Sequence, residues 1–202
     1  MGLFSRGKPP ERGVTDSARR DLVVPMLSGQ AWIDANAETF AQIPDFPAGS
    51  YPLARPIAEG LYVTYAIDPG PGPSWEVVSV DAAHAYGDEA ELHTMALANL
   101  RRRGNLRVEG DSGRYRLTIP SELDLSGSII LDPQRWRATF PIKGDLVVAI
   151  PTRIETLICS ANDAESVASL ATLAAKAFDA ADGKPVSPSL YRMSPDGLAT
   201  FR

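Results

Sequence analysis

The chain has 202 residues, of which 44% are hydrophobic and 22% charged, and its net charge is −5. This composition is ordinary for a globular protein, and the length fits one large domain rather than two. The negative charge disfavours a nucleic-acid-binding protein, which normally carries a basic surface. No apolar run approaches the roughly 20 residues that span a bilayer, so the sequence predicts no membrane contact and, by default, a cytoplasmic location.

The first 20 residues are polar and basic, contain glycine and proline, and lack the apolar core of a signal peptide. We predict a flexible tail over residues 1–20 and a single α+β domain over 21–202. Residues 22–27 form the first predicted strand, which Pro25 assigns to a sheet edge because proline cannot donate to a ladder. Residues 30–41 then show helical spacing of apolar side chains.

Residues 44–56 are rich in proline and glycine and are predicted to form an ordered loop over a surface. The loop is too apolar for a solvated linker. Residues 61–67 and 75–80 follow as two strand-like runs around a stiff Pro-Gly loop, which predicts a hairpin.

The best-marked helix is predicted over residues 88–103. Asp88 and Glu91 make a capping-box pattern at its start, and Gly104 follows its end. Pro133 after Asp132 predicts a second helix over 133–140 that carries Trp136 inward. A third is predicted over 163–180, with a capping box from Asn162 and Glu165, an apolar stripe and Gly183 beyond its end. Strand pairs are predicted at 106–109 with 115–120, 145–150 with 155–160, and 190–193 with 198–201.

Strands joined by short loops must be antiparallel. The predicted fold class is therefore α+β, with a mostly antiparallel sheet built from strand pairs and helices packed on one face of it.

Asn99 lies within the apolar arc of the helix at 88–103. A buried amide must be hydrogen-bonded, so we predict that Asn99 ties the helix to backbone groups of a neighbouring segment; binding a ligand is the alternative.

Three further types of residue on this chain are candidates for interaction. Arg101, Arg102 and Arg103 end the helix and either complement its dipole as solvated cations or form a basic patch for an acidic partner. His93 lies at the edge of the apolar arc and is interpreted as a boundary residue rather than a catalytic one. Trp32 is a candidate anchor for a partner, together with the Pro-rich loop.

The residues offer little for catalysis or metal binding. The chain has one cysteine and two histidines, with no paired ligand spacing. Cys159 lies in an apolar run, which favours a buried, inert thiol over a reactive one. Asp68, Asp132 and Asp145 stand at turns and could serve an active site only if they converge. We therefore predict no metal site and no cofactor, with an oxygen-only site for calcium or magnesium, built from aspartates, as the alternative.

Four segments, taken together, resemble an uncharacterised bacterial family, the YtpQ-like domain of unknown function. They are Leu61–Ile67 with Asp68, the helical string 91–100, the string 145–151 and the strand at 22–27. The resemblance covers roughly residues 20–200. It implies a bacterial, cytosolic protein and implies no known activity.

The function favoured by the sequence is non-enzymatic binding of another protein, as an adaptor. The alternative is a small-molecule or peptide-processing enzyme with a carboxylate/histidine site built from the turn aspartates and His93. A cleft where aspartate, histidine and asparagine converge would favour the enzyme. An exposed apolar patch involving Trp32 and the Pro-rich loop would favour the binding protein.

Overall fold

The computed structural model describes residues 19–68, 75–111, 113–139, 142, 144–182, 185–195 and 197–202. The first 18 residues of the expected tail, the Pro-Gly loop after Asp68 and Gly183 lie outside them. Arg19 and Arg20, which we assigned to the tail, form a helical turn, and Arg20 donates to the carbonyl oxygens of Ala85 and Tyr86.

All strand pairs in the described residues are antiparallel, and helices connect them, which confirms the α+β class. The strands are β1 (Val23–Gly29), β2 (Ala54–Ala58), β3 (Leu61–Ile67), β4 (Glu76–Val77), β5 (Arg107–Asp111), β6 (Arg114–Thr118), β7 (Leu146–Thr152), β8 (Glu155–Ser160), β9 (Leu190–Ser194) and β10 (Gly197–Thr200). The α-helices are α1 (Gln30–Ala41), α2 (Val80–Ala83), α3 (Glu89–Arg102) and α4 (Ala164–Asp179). No helix in this described part of the chain is long and apolar enough to cross a bilayer.

The strands form two sheets rather than the single sheet that we expected. The first has the order β1-β3-β2, with β4 also paired to β3, and the second has the order β10-β9-β7-β8-β6-β5. Within the first sheet β1 pairs with β3 alone, which confirms the edge position that Pro25 predicted.

The main core lies between these elements. Side chains of β1, β3, α3, β7 and the 3-10 segment Leu123–Leu131 meet there together with Trp136, among them Leu27, Tyr65, Leu92, Leu100, Leu125 and Leu146. A smaller apolar cluster lies where Leu170 and Ala174 of α4 pack on β7 and β8. The core holds α3 against β1, and this contact positions most of the polar residues considered below.

Strand β2 was missed because its segment was predicted to be a loop. Pro56 lies within β2 and cannot donate to a ladder, but β2 is an edge strand, where this loss is tolerated. The overlooked signal is Glu59-Gly60: Gly60 has φ 68°, a left-handed conformation that suits the tight turn from β2 to β3.

The predicted helix at 133–140 is wrong. The described part of it forms two 3-10 turns, Pro133–Arg135 and Arg137–Thr139, on either side of a fully buried Trp136. Asp132 makes no capping bond, because its carboxylate is bound by Arg101. The inward position of Trp136 is confirmed.

The other helix starts are close to their predicted positions. Helix α3 begins after Asp88, and both bonds of its capping box with Glu91 are present, at 2.8 and 3.0 Å. Helix α4 is capped by Asp163, which accepts from the Ser166 amide, and not by Asn162. Helix α1 has the predicted bounds.

Candidate functional site

The side chain of Asn99 is buried where α3 meets the start of β1. Its Nδ2 donates to the carbonyl oxygens of Arg20 and Val23, at 2.8 and 2.7 Å, and its Oδ1 accepts from Arg102. Both amide hydrogens are therefore used by backbone oxygens of the chain itself. This arrangement fits the structural alternative and leaves no donor directed at a ligand.

The three arginines at the end of α3 each meet a different carboxylate. Arg101 binds Asp132 through two bonds of 2.6 and 2.8 Å, and Arg102 lies 3.2 Å from Asp21. Arg103 donates to Asp68 at 2.8 Å. The structure thus balances each of these cations with an acid of another segment, which weakens their attraction for an acidic partner.

His93 belongs to a small polar cluster between α3 and the first sheet. Its Nδ1 lies 3.0 Å from the Tyr65 hydroxyl, and Arg55 lies 3.7 Å from Glu89, one helical turn before His93. Burial, and to a smaller extent the positive charge of Arg55, lower the pKa of His93 to about 4. Burial also raises the pKa of Tyr65, so its hydroxyl keeps its proton and is hydrogen-bonded to a neutral imidazole.

This cluster predicts a pH-dependent contribution to stability. The unfolded chain binds a proton at His93 below about pH 6.5, whereas the folded chain does so only near 4, so stability is present above 6.5 and is lost as the pH falls through 4. His93→Gln keeps an acceptor for Tyr65 but does not titrate. We expect wild type to lose on the order of 2 kcal/mol more than this variant between about pH 7 and 4 in urea unfolding.

The exposed His84 supplies the control, because its side chain lies at the surface rather than in the cluster with Tyr65. His84→Gln should keep the pH dependence of the wild-type unfolding free energy. Parallel curves for wild type and His93→Gln would contradict the role that we give to burial of His93.

Two of the three turn aspartates do not converge on His93. Asp68 and Asp132 are bound to Arg103 and Arg101, at the far end of α3. Among the described residues no group of three or more His, Cys, Asp or Glu side chains is placed to hold a metal ion. Cys159 is buried, and burial raises the pKa of its thiol to about 11, which keeps the thiol protonated.

Helix α1 and the loop after it are the least covered part of the described chain. From Gln30 to Gly60 no residue is buried, in contrast to the fully buried β1 that precedes them. This stretch nevertheless carries large apolar side chains, most of them half-exposed. We define the α1 surface as Trp32, Ile33, Phe40, Ile43, Phe46 and Tyr51.

Aromatic contacts hold the α1 surface together. The rings of Phe40 and Phe46 are stacked with centroids 4.5 Å apart, and the edge of Tyr51 meets them at 5.5 and 5.3 Å. A groove of about 70 Å³ lies between α1 and Tyr51 and is lined in part by Trp32. The guanidinium of Arg153 lies 5.9 Å from the centre of the Trp32 ring. These contacts give the loop a defined shape without burying it.

The tip of the loop combines the most exposed apolar residue of the surface with an unusual backbone. Ile43 is 46% exposed, and Asp45, two residues later, has φ 55°. Prolines 44 and 47 stand on either side of Asp45 and restrict the backbone around it. Left-handed non-glycine residues carry strain and cluster at functional sites, although aspartate tolerates this conformation better than most.

Sequence reasoning identified Trp32 and the Pro-rich loop but not the residues that complete the surface. The apolar character of the loop at 44–56, which contains Phe46 and Tyr51, was the available signal. Comparisons with protein-family models, curated proteins and solved structures give no match for this chain.

Proposed function

We propose that this protein is a non-enzymatic binding or adaptor protein of the bacterial cytoplasm that holds a protein partner on the α1 surface. The observation that carries the proposal is the partial exposure of this aromatic surface, with Ile43 46% exposed, on a chain segment without a single buried residue. Contiguous exposed apolar patches mark interaction sites, and aromatic side chains are enriched in protein interfaces. The bacterial origin and the cytoplasmic location in this proposal rest on the resemblance to the YtpQ-like family. Membership of that family is itself part of the proposal.

The shape of the surface also favours binding. The stacked rings of Phe40 and Phe46 and the prolines beside Asp45 restrict the loop before any partner arrives. A surface that is ordered in advance loses less conformational entropy on association. A large side chain such as Trp32, with a groove beside it, is a typical energetic centre of an interface.

Affinity purification from the native host tests this proposal with a matched set of variants. The tagged double variant Trp32→Ser/Ile43→Ser removes two apolar side chains of the α1 surface. Leu173→Ser is the control, because Leu173 is a 50% exposed leucine on α4. We expect a partner retained by wild type and by the control to be reduced at least about tenfold with the double variant, as for the loss of interface anchors.

All the variants should keep the melting temperature of wild type within a few degrees, because the substituted side chains lie outside the core. A partner recovered equally well by wild type and by the double variant would contradict binding through the α1 surface.

The second candidate is a small-molecule or peptide-processing enzyme. The observation in its favour is the cluster in which Glu89, Arg55, His93 and Tyr65 lie close together. The low pKa of His93 counts against it, because a base with a pKa of about 4 accepts a proton weakly near neutral pH. Hydrolysis of a model peptide that disappears in His93→Gln, with the fold intact, would move this candidate ahead.

A further inference from the structure

Arg153 is the one half-buried arginine of the described chain that has no oxygen partner. Each of the other half-buried arginines meets a carboxylate or donates to a backbone carbonyl; they are Arg19, Arg55, Arg103, Arg135 and Arg137. Arg153 lies in the turn between β7 and β8, and no described residue accepts a hydrogen bond from its guanidinium, whose Nε is buried. Buried polar groups are almost always paired, so this arginine requires an explanation.

The surroundings of Arg153 disfavour its charge. The guanidinium lies 5.9 Å from the centre of the Trp32 ring. Burial lowers the pKa of Arg153, and the negative charge of Asp124 offsets this only in part. No hydrogen bond or ion pair joins these two described side chains. Because a guanidinium does not lose its proton in proteins, a cation without a bonded carboxylate remains beside Trp32.

The acids of α1 do not supply the missing partner. Asp34 and Glu38 follow Trp32 by two and six residues, so at about 100° per residue they project from the opposite side of the helix. Both are exposed, and Asp34 accepts a hydrogen bond from Gln30 at 2.8 Å. The positive charge beside Trp32 is therefore not balanced by the helix that carries this tryptophan.

Trp32 connects this cation to the groove of the α1 surface. The ring beside Arg153 also lines the groove of about 70 Å³, together with Ile33, Ala37 and Tyr51. This volume is less than half of the roughly 150 Å³ in which an engineered apolar cavity holds benzene, so it suits an aliphatic side chain better than a ring. The groove and the cation meet at one indole, and neighbouring residues of a single segment can reach both.

We propose that the segment held on the α1 surface carries an aspartate or glutamate next to an aliphatic residue, with the aliphatic side chain in the groove at Trp32 and the carboxylate on the Arg153 guanidinium. The proposal rests on the proposed function, since it names the chemistry of the partner for the same surface. Hydrogen bonds between a guanidinium and a carboxylate are charge-assisted and stronger than neutral ones. The partner thus supplies the acceptor that no described residue provides.

Three short labelled peptides test the proposal by fluorescence anisotropy. Their ends are acetylated and amidated, so that only side chains carry charge. They share two leucines, and the residue after each leucine is glutamate in the first peptide, glutamine in the second and lysine in the third. We expect wild type to bind the glutamate peptide about tenfold more tightly than the glutamine peptide, and the lysine peptide least.

Variants of Arg153 and a matched control assign this preference to one side chain. Arg153→Gln should abolish the preference for glutamate over glutamine, and Arg153→Glu should make the lysine peptide the tightest. Arg192→Gln is the control, because Arg192 is an exposed arginine of β9 whose guanidinium lies 5.3 Å from the centre of the Phe201 ring. It should leave the preference within about twofold of wild type.

Thermal unfolding separates binding from a role in the fold. Arg153 has no bonded partner in the described chain that its replacement leaves unpaired. Arg153→Gln should therefore keep the melting temperature of wild type within a few degrees. A fall of about ten degrees or more would assign Arg153 to the stability of the fold and overturn the proposal.

Each binding result decides the proposal. A preference that Arg153→Glu reverses and Arg192→Gln keeps supports it, whereas a preference for glutamate that survives Arg153→Gln overturns it. Equal binding of the glutamate and glutamine peptides, with both lost in Trp32→Ser/Ile43→Ser, overturns the acidic partner and leaves the proposed function in place. Failure of the glutamate peptide to bind at millimolar concentration also overturns it, and capture of the native partner then judges the proposed function independently.

Discussion

Replacement of Asn99 by leucine should lower the free energy of unfolding by about 1–3 kcal/mol, because it takes the donor from one buried and one partly buried carbonyl oxygen. These are the carbonyls of Arg20 and Val23, which now accept from Nδ2 at 2.8 and 2.7 Å. Leucine has no polar side-chain atom, so it cannot donate a hydrogen bond to either oxygen. Urea unfolding of wild type and Asn99→Leu measures the difference.

Asn105→Leu is the matched control, because Asn105 is an exposed asparagine just beyond α3. Its effect should stay within about 0.5 kcal/mol, as for most surface substitutions. Asn99→Asp should destabilise the protein as well, since it places a carboxylate oxygen against carbonyl oxygens. Equal stability of wild type and Asn99→Leu would contradict the structural role of the amide.

Replacement of Trp136 by alanine should cost about 3–5 kcal/mol, the usual range for loss of a large aromatic side chain from a core. Trp136 is fully buried in the main core, and its Nε1 donates to the Ile129 carbonyl at 2.8 Å. The variant loses apolar contacts, opens a cavity and removes one of two donors to this carbonyl, which also accepts from the Asp132 amide at 3.1 Å. Thermal and urea unfolding of purified protein measure the loss.

Two further tryptophan variants refine this prediction. Trp136→Phe keeps most of the ring but not the donor, so it should cost about 1–2 kcal/mol. Trp32→Ala removes a half-exposed tryptophan of the α1 surface and should leave stability nearly unchanged while it weakens partner binding. A Trp136→Ala protein as stable as Trp32→Ala would contradict the assignment of Trp136 to the core.

The sequence predicted most elements whose signals are local. The capping box of Asp88 and Glu91 acts within one helical turn, so the start of α3 could be read from the residues alone. Glycine-bearing turns predicted the β5–β6 and β9–β10 hairpins for the same reason. The position of Asn99 within an apolar arc indicated a buried amide that needs partners.

Competing roles for one side chain caused the errors. Asp132 before Pro133 has the pattern of a helix cap, but its carboxylate binds Arg101, 31 residues away, and the segment forms 3-10 turns. Pro56 argued against a strand, yet β2 tolerates it at a sheet edge. At Asp132 a contact distant in sequence outweighed the local helix-cap pattern. At Pro56 the edge position of β2 removed the need for a donor on one side of the strand.

By itself, the sequence determined the α+β class, the hairpins and the helix starts, because these depend on hydrogen bonds and periodicities that span a few residues. Only the tertiary structure decided that the strands divide into two sheets and that the amide hydrogens of Asn99 reach Arg20 and Val23. It also decided the exposure of the α1 surface. A tryptophan or an isoleucine has the same chemistry in a core as on a surface, and its exposure depends on whether another element packs against it.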